Sequence, residues 1–297
     1  MTRRMLVVLI LLAGPLITGL SQASSRIIET RYLIVSDGGN KLSDDRLQIL
    51  ADQAQTVLER ILEFWAADSG IDEFGKIEVI FGSPRKRDYY VSVFRWTRGA
   101  ARPARVVWVF GSERDPQEMV HKLTSAILFH QDKLIRNMMG IPTEERLGNP
   151  LTFPGCGFSS DEWVLSFLKT GSLVPLSELG PDHESWGMRV SGDGFPSVFD
   201  RARQTRAYAE AGSFGNYLIR TYGINKMKEF YQLSGRKNRP WRDVFGMTIQ
   251  ELETNWLKSL QSDEAIKDET VVTLSKLFET NPNTACLAAE RFSASRR

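Results

Sequence analysis

The chain has 297 residues, of which 42% are hydrophobic and 25% charged, so its composition is typical of a folded globular protein and excludes wholesale disorder. Lys and Arg total 38 against 36 Asp and Glu, and both excess positive charges lie at the N-terminus as Arg3 and Arg4. This near-neutral balance disfavours a dedicated nucleic-acid-binding protein, and two cysteines exclude a disulfide-dense scaffold or a Cys-rich zinc module.

Residues 1–23 have the features of a secretory signal peptide. Arg3 and Arg4 precede a compact apolar run, Met5–Ala13, and small residues precede the expected cleavage site. An uncleaved membrane anchor is the alternative, but the apolar stretch is shorter than the roughly 20 residues that a spanning helix needs. We therefore expect an exported protein, periplasmic or extracellular, with no transmembrane segment after signal cleavage.

The pattern over residues 24–145 predicts strands combined with two long helices, forming an N-terminal α+β subdomain. The predicted strands are Ile27–Val35, Ile77–Phe81 and Arg105–Phe110, and Tyr89–Trp96 is ambiguous between strand and helix. Apolar residues at three- and four-residue steps predict a helix over Asp44–Trp65, capped by Ser43. A second helix is predicted from Pro116 to about Met139, capped by Asp115 and ending at Gly140.

The chain from residue 146 to 262 is predicted to form a helical C-terminal subdomain. Prolines and glycines indicate a loop or hinge over 141–160 and a further loop over 180–198. The predicted helices are 161–169, 201–222, 225–233 and 248–260. Residues 263–297 are predicted to be a polar tail with one amphipathic segment, Val271–Phe278.

The two cysteines leave two possibilities open. In an exported protein Cys156 and Cys286 could form a disulfide, which requires their Cα atoms to lie within about 7 Å of each other. They could equally be two unrelated buried thiols.

Three segments occur in an order typical of one enzyme family. The strand Arg105–Phe110 lies shortly before the helix with His121, an acidic segment begins at Glu162, and the helix segment Ala207–Leu218 follows. This arrangement resembles the gluzincin, or peptidase-MA-like, zinc metallopeptidase domain of exported bacterial proteins. The resemblance implies an α+β, zincin-like (thermolysin-like) fold, with a small mixed N-terminal sheet plus helices and a helical C-terminal half. It also implies that Arg105–Phe110 is the substrate-side edge strand and that Glu162 is the third metal ligand.

The residues at the metal site depart from the family pattern. An active gluzincin has two histidines four residues apart, a glutamate after the first as general base, and a third ligand carboxylate. Here the matching positions are His121, Lys122 and Ser125. A lysine ammonium has no acceptor for a water proton, and a serine hydroxyl is a poor Zn²⁺ ligand. We therefore expect no catalytic residues, metal or cofactor, with Zn²⁺ on His121 and Glu162 only if the site has unusual ligands.

Several other polar residues have a less specific interpretation. Without a metal, Lys122 or His121 could pair with Glu162 across the former site. His130 is expected on the opposite helix face, solvated near the helix end, and His183 in a surface turn, so neither adds a ligand. The basic stretch over 85–105 is either a solvated loop or a docking patch for an acidic partner or an anionic envelope surface.

The preferred interpretation is an exported, catalytically degenerate peptidase-MA-like protein that binds an unknown peptide or protein in the cell envelope. The ligand is expected beside strand Arg105–Phe110, through β-augmentation or groove contacts. Two alternatives stay open: a zinc-dependent metallopeptidase with unusual ligands, and a purely structural envelope component.

Overall fold

A computed structural model shows a mixed α+β fold in which helices predominate over one small mixed sheet, which confirms the predicted α+β class. The structure describes residues 26–38, 42–81, 90–95, 103–109, 119–190 and 196–295, with only the backbone for 90–95. The expected signal peptide, residues 1–23, and the expected helix cap Asp115 lie outside the described residues.

Five strands form the main sheet in the order β1-β2-β3-β5-β4. They are β1 (Ile27–Glu29), β2 (Leu33–Asp37), β3 (Ile77–Phe81), β4 (Tyr90–Arg95) and β5 (Ala104–Val109). Strands β2, β3 and β5 are parallel, whereas β1 and β4 pair antiparallel at the two sides. The predicted strand over 27–35 is therefore a tight hairpin of two strands, and the ambiguous segment near residue 90 is a strand.

The prediction that Arg105–Phe110 forms an edge strand is wrong. Strand β5 pairs with β3 on one side and with β4 on the other, so its backbone groups are used in both directions. The last strand of the described sheet on this side is β4. Arg105 is also not part of an exposed basic patch, because its buried guanidinium donates to the carbonyls of Ser69 and Gly75.

Eleven α-helices, two short 3-10 turns and one small hairpin, joined by loops, complete the described chain. The helices are α1 (Asp44–Trp65), α2 (Ile71–Phe74), α3 (Val120–Ile127), α4 (Lys133–Leu147), α5 (Ser160–Lys169), α6 (Arg201–Tyr222), α7 (Ile224–Leu233), α8 (Trp241–Phe245), α9 (Ile249–Gln261), α10 (Asp268–Thr280) and α11 (Ala285–Ser295). The hairpin consists of β6 (Met188–Val190) and β7 (Pro196–Val198), within the segment predicted to be a loop. Helix α1 has the predicted bounds, and the Ser43 hydroxyl accepts from the Arg46 N–H as its cap.

The predicted long helix over 116–139 is two helices in the described chain. Helix α3 ends at Ile127, and α4 begins after Asp132, whose side chain accepts from the Leu134 N–H. His130 stabilises this break, since its Nδ1 accepts from the Asp132 N–H and its Nε2 lies 3.1 Å from the Ser234 carbonyl. His130 is therefore buried in the connection rather than solvated.

Helix α4 continues past Gly140 and Pro142 to Leu147, so the predicted end at Gly140 and a loop beginning at 141 are wrong. Pro142 lacks the N–H that would pair with the Met138 carbonyl. That carbonyl lies against Gly215 of α6, where an added Cβ would be 2.5 Å from the oxygen. The two helices approach closely here, and tertiary packing offsets the local cost of proline. The expected subdomain boundary at 145/146 falls inside α4, and one buried core extends from Leu33 to Leu260.

The C-terminal segment is folded rather than a polar tail over its described length. Helix α10 contains the predicted amphipathic segment and packs its Leu274 and Phe278 against Trp163 and Phe167 of α5. Cys156 and Cys286 form a disulfide with a Cα–Cα distance of 5.4 Å, which resolves the question left open by the sequence.

Candidate functional site

His121 lies in the first turn of α3, with its ring directed into the protein. The side chain is only 7% exposed, and its ring packs on Gly140 of α4. A Cβ added at Gly140 would lie 2.9 Å from both Cδ2 and Nε2 of the imidazole. Position 140 therefore has to be glycine for the ring to occupy this place without displacement.

The carboxylate that faces His121 belongs to Glu144. Its Oε2 is 3.3 Å from His121 Nδ1, and its side chain is 6% exposed. Glu144 is one helical turn beyond Gly140, so both residues lie on the face of α4 that meets α3. The sequence pattern predicted that this helix ends at Gly140, so Glu144 was not among the predicted site residues. An uninterrupted helix would have placed Glu144 on the same face.

His121 is neutral around pH 7. Burial lowers the pKa of its imidazole well below the usual value, and the charges of Lys122, Lys133 and Arg136 lower it further. A hydrogen bond with Asn137 acts in the opposite direction but is the weakest of these influences. The His121–Glu144 contact is therefore a close polar contact between an imidazole and a carboxyl group, not an established ion pair.

Lys122 and Ser125 differ in what their side chains can offer to a ligand. Ser125 Oγ donates to the His121 carbonyl at 2.9 Å, so this buried hydroxyl bonds within its own helix. Lys122 is half-buried. Burial and then the charge of Arg136 lower the pKa of Lys122 to about 8, while Glu144 raises it. Lys122 therefore stays largely cationic at neutral pH and places a positive charge beside His121.

Glu162 does not pair with His121 or Lys122, contrary to the expectation from the sequence. Its carboxylate accepts from the Ser159 N–H at 2.8 Å, and the Ser159 hydroxyl in turn accepts from the Glu162 N–H. This reciprocal capping box begins α5. Within the described chain no hydrogen bond or ion pair joins Glu162 to either residue of α3. The acid opposite His121 is Glu144 instead.

Glu162 and Glu144 nevertheless line the same cleft, of about 500 Å³. The other two acids of this cleft, Glu145 and Asp161, also bond to neighbouring residues. Glu145 accepts from the Ser160 N–H at 2.7 Å, and Asp161 is paired with Arg220 at 2.7 Å. These acids mainly stabilise the α5 N-terminus against α4 and α6.

Lys133 occupies an aromatic cage next to His121. Its Nζ donates to the Tyr208 hydroxyl at 2.8 Å and lies 4.9 Å from the Trp186 ring centroid and 4.5 Å from that of Tyr208. The ring faces favour the ammonium form, but burial and the charges of Arg136 and Lys122 lower the Lys133 pKa well below its usual value. Burial also raises the pKa of Tyr208 to about 12, so its hydroxyl stays protonated.

Three basic side chains of α3 and α4 have no ion-paired carboxylate among the described residues, although Glu144 raises the pKa of Lys122 and Asp132 raises that of Arg136. Among the described residues, no acidic oxygen lies within 4.0 Å of the ammonium or guanidinium nitrogens of Lys122, Lys133 or Arg136. We call these three residues the cation cluster. Lys122 was predicted from the sequence as a departure from the family pattern, whereas Lys133 and Arg136 were not predicted. Their i, i+3 spacing at the start of α4 was the available signal.

Few described residues could hold a metal ion. His121 and Glu144 supply two candidate ligand atoms, and three protein ligands are usual for a catalytic zinc site. The one group of three convergent candidate ligands within the described residues is Cys156, Cys286 and Glu290, and its two sulfurs are joined to each other. His183, expected in a surface turn, lies at a short 3-10 turn and is half-buried.

Comparison of the chain with protein-family models, with curated proteins and with solved structures finds no match. Within the described residues, none of the helices combines the length and apolar character needed to cross a bilayer. The fold and site thus define a mixed α+β protein with a buried imidazole–carboxyl contact beside a cluster of cations.

Proposed function

We propose that the chain is an exported, peptidase-MA-like protein with a degenerate catalytic site, which binds a peptide or protein without cleaving it. The main support for this proposal is that residues next to His121 differ from the catalytic and metal-binding residues of the family. A lysine follows it where the family has its general base, and the second histidine position is a serine bonded to its own helix. The zincin-like relationship is part of this proposal.

Hydrolysis by the family mechanism needs groups that these positions do not supply. The base must accept a proton from metal-bound water, and Lys122 is largely cationic at neutral pH because its pKa is about 8. The positive charges of Lys122 and Arg136 also oppose a dication next to His121. Both effects favour a binding role over a catalytic one.

The proposed binding surface lies beside β4 rather than β5. Helix α3 packs against both strands, so β4 lies beside the helix that contains His121 and Lys122. As the last strand of the described sheet on this side, β4 is the strand to which an extended peptide could add by backbone hydrogen bonds. This location replaces the one expected from the sequence.

Export is supported by two separate features. The N-terminal residues have the composition of a signal peptide. The Cys156–Cys286 disulfide is compatible with an oxidising compartment, where such bonds persist. Together they favour a periplasmic or extracellular location.

A metallopeptidase with unusual ligands is the second candidate, because the contact between His121 and Glu144 offers two ligand types used by zinc enzymes. Glu144, rather than Glu162, would be the carboxylate ligand in that case. Two measurements distinguish these candidates, each made with and without chelator. The first is the number of zinc ions bound per chain, and the second is the cleavage of a quenched-fluorescence peptide pool. We expect far less than one zinc per chain and no chelator-sensitive cleavage.

The matched variants for this test are His121→Ala and His183→Ala. One zinc per chain that is lost in the first variant and retained in the second, together with chelator-sensitive cleavage, would refute the non-catalytic proposal. Binding itself is tested by selecting a displayed peptide library on the purified chain. Selected peptides should bind in solution and remain intact after prolonged incubation.

A further inference from the structure

A second cleft, of about 330 Å³, lies between the α3–α4 connection and the loop at residues 181–183. Its volume is near the lower end of the range for ligand pockets, so it suits the end of a chain rather than a long segment. Phe129 and Pro181 form the apolar part of the cleft wall. The polar lining consists of Gln131, Arg136, Asp182, His183 and Arg236.

Arg136 is the charged side chain in this lining that has no hydrogen-bonded or ion-paired partner among the described residues. The carboxylate of Asp182 pairs with Arg236 at 2.7 Å. Asp132, one turn before Arg136, is held by Arg239 through contacts of 2.6 and 3.0 Å. Within the described chain, the Arg136 guanidinium makes no hydrogen bond and no ion pair, and it lies 6.0 Å from the centroid of the Phe129 ring.

The surrounding field adds to this excess of positive charge. Burial and then the charges of Lys133, Arg136 and Lys122 lower the pKa of His183 to about 4, although Asp182 opposes them. His183 is therefore neutral at pH 7 and can accept or donate a hydrogen bond at the cleft. An anion in the cleft would meet the Arg136 guanidinium, with the His183 ring in the same lining as a hydrogen-bonding group.

We infer that this cleft binds the terminal carboxylate of a peptide, with Arg136 as its bidentate partner. The inference rests on the proposed peptide-binding function and specifies which part of the ligand is recognised. A planar guanidinium matches the two oxygens of a carboxylate, and the Phe129–Pro181 wall can accept the last side chain. Asp182 at the rim repels a phosphate dianion more strongly than a carboxylate monoanion.

The test uses two pools of N-acetylated tetrapeptides with randomised sequence, one ending in a free carboxylate and the other in an amide. Binding to the purified, disulfide-bonded chain is measured by calorimetry at low and high salt. We expect the acid pool to bind roughly tenfold more tightly than the amide pool, with a smaller difference at high salt. Arg136→Gln should abolish the difference. Arg242→Gln, at an exposed arginine of α8 outside the cleft, should preserve it.

Arg236→Gln provides a second variant at an exposed position, which protects the test against misfolding of Arg136→Gln. It releases Asp182, which can then compete for Arg136, so the acid preference should fall about threefold. Equal, measurable binding of both pools would overturn the carboxylate site and leave the proposed function standing. An acid preference retained in Arg136→Gln, or inorganic phosphate binding more tightly than the acid pool, would also overturn it. Failure of both pools to bind would count against the proposed function as well.

Discussion

Replacing Gly140 with alanine tests whether the His121 ring is held where the structure places it. Two effects of opposite sign compete. Alanine is favoured over glycine in a helix interior by about 1 kcal/mol. Against this, the new Cβ would lie 2.9 Å from two atoms of a buried ring. The ring would have to move away from Glu144, and overpacking of this kind costs about 1–3 kcal/mol.

We expect the cost of the clash to exceed the gain in helix preference, which gives a net loss of about 1 kcal/mol in the free energy of unfolding. The same substitution in a His121→Ala background meets no ring, so the helix preference alone should remain. Gly140→Ala should therefore stabilise that background by about 1 kcal/mol. The resulting coupling energy between positions 121 and 140 is about 2 kcal/mol, which is in the range expected for residues in contact.

The assay is urea unfolding of the four chains of this double-mutant cycle, with the disulfide intact. The dependence of the unfolding free energy on urea concentration must have the same slope in all four variants, because the comparison then measures stability alone. A single Gly140→Ala variant that is more stable than the parent chain, with a coupling energy near zero, would refute the placement of His121 on Gly140. The His121 ring would then not occupy the position on α4 that defines the candidate site.

Two further predictions concern groups outside the cation cluster. Glu210 is fully buried, accepts from the Val174 N–H, and has its pKa raised well above the usual value by burial. The folded chain therefore holds this proton more tightly than the unfolded chain, so the group lowers stability as pH rises above its unfolded pKa, with a slope of up to about 1.4 kcal/mol per pH unit. Glu210→Gln should flatten the loss of stability between pH 5 and 8, measured by urea unfolding, and an unchanged slope would contradict a raised pKa. Glu251→Gln is the control, since a lowered pKa keeps that exposed carboxyl ionised over this window. Reduction of the Cys156–Cys286 disulfide, which spans a sequence separation of 130 residues, should cost up to about 5 kcal/mol in the chain-entropy model. The Cys156→Ser/Cys286→Ser chain should show the same loss without reductant, and full stability in that chain would be inconsistent with a structural disulfide.

The sequence determined the elements whose signals are local. The three- and four-residue repeat of apolar residues located α1 at Asp44–Trp65, including its Ser43 cap. The sequence also predicted a helix over 201–222, and α6 has these bounds. Both predictions succeeded because a polar residue directly before each helix, Ser43 or Asp200, accepts a hydrogen bond from one of its first N–H groups.

Local sequence signals predicted the wrong structure where tertiary contacts outweigh them. Gly140 and Pro142 ordinarily end a helix, yet α4 continues through both because glycines allow close packing against His121 and α6. Strand β5 lies inside the sheet because β4 pairs on its outer side. The order of the strands in the sheet differs from their order in the sequence, so it could not be predicted from local patterns. Strand order is set by which faces bury together, a property of the whole domain.

The candidate site shows the same division. The sequence identified His121, Lys122 and Ser125 through their spacing, because three residues on one helical turn form a local pattern. The partner carboxyl of Glu144 and the disulfide between residues 156 and 286 join positions distant in the chain. Only the folded structure decides such contacts, because spacing along the chain carries no information about which distant side chains share a buried space.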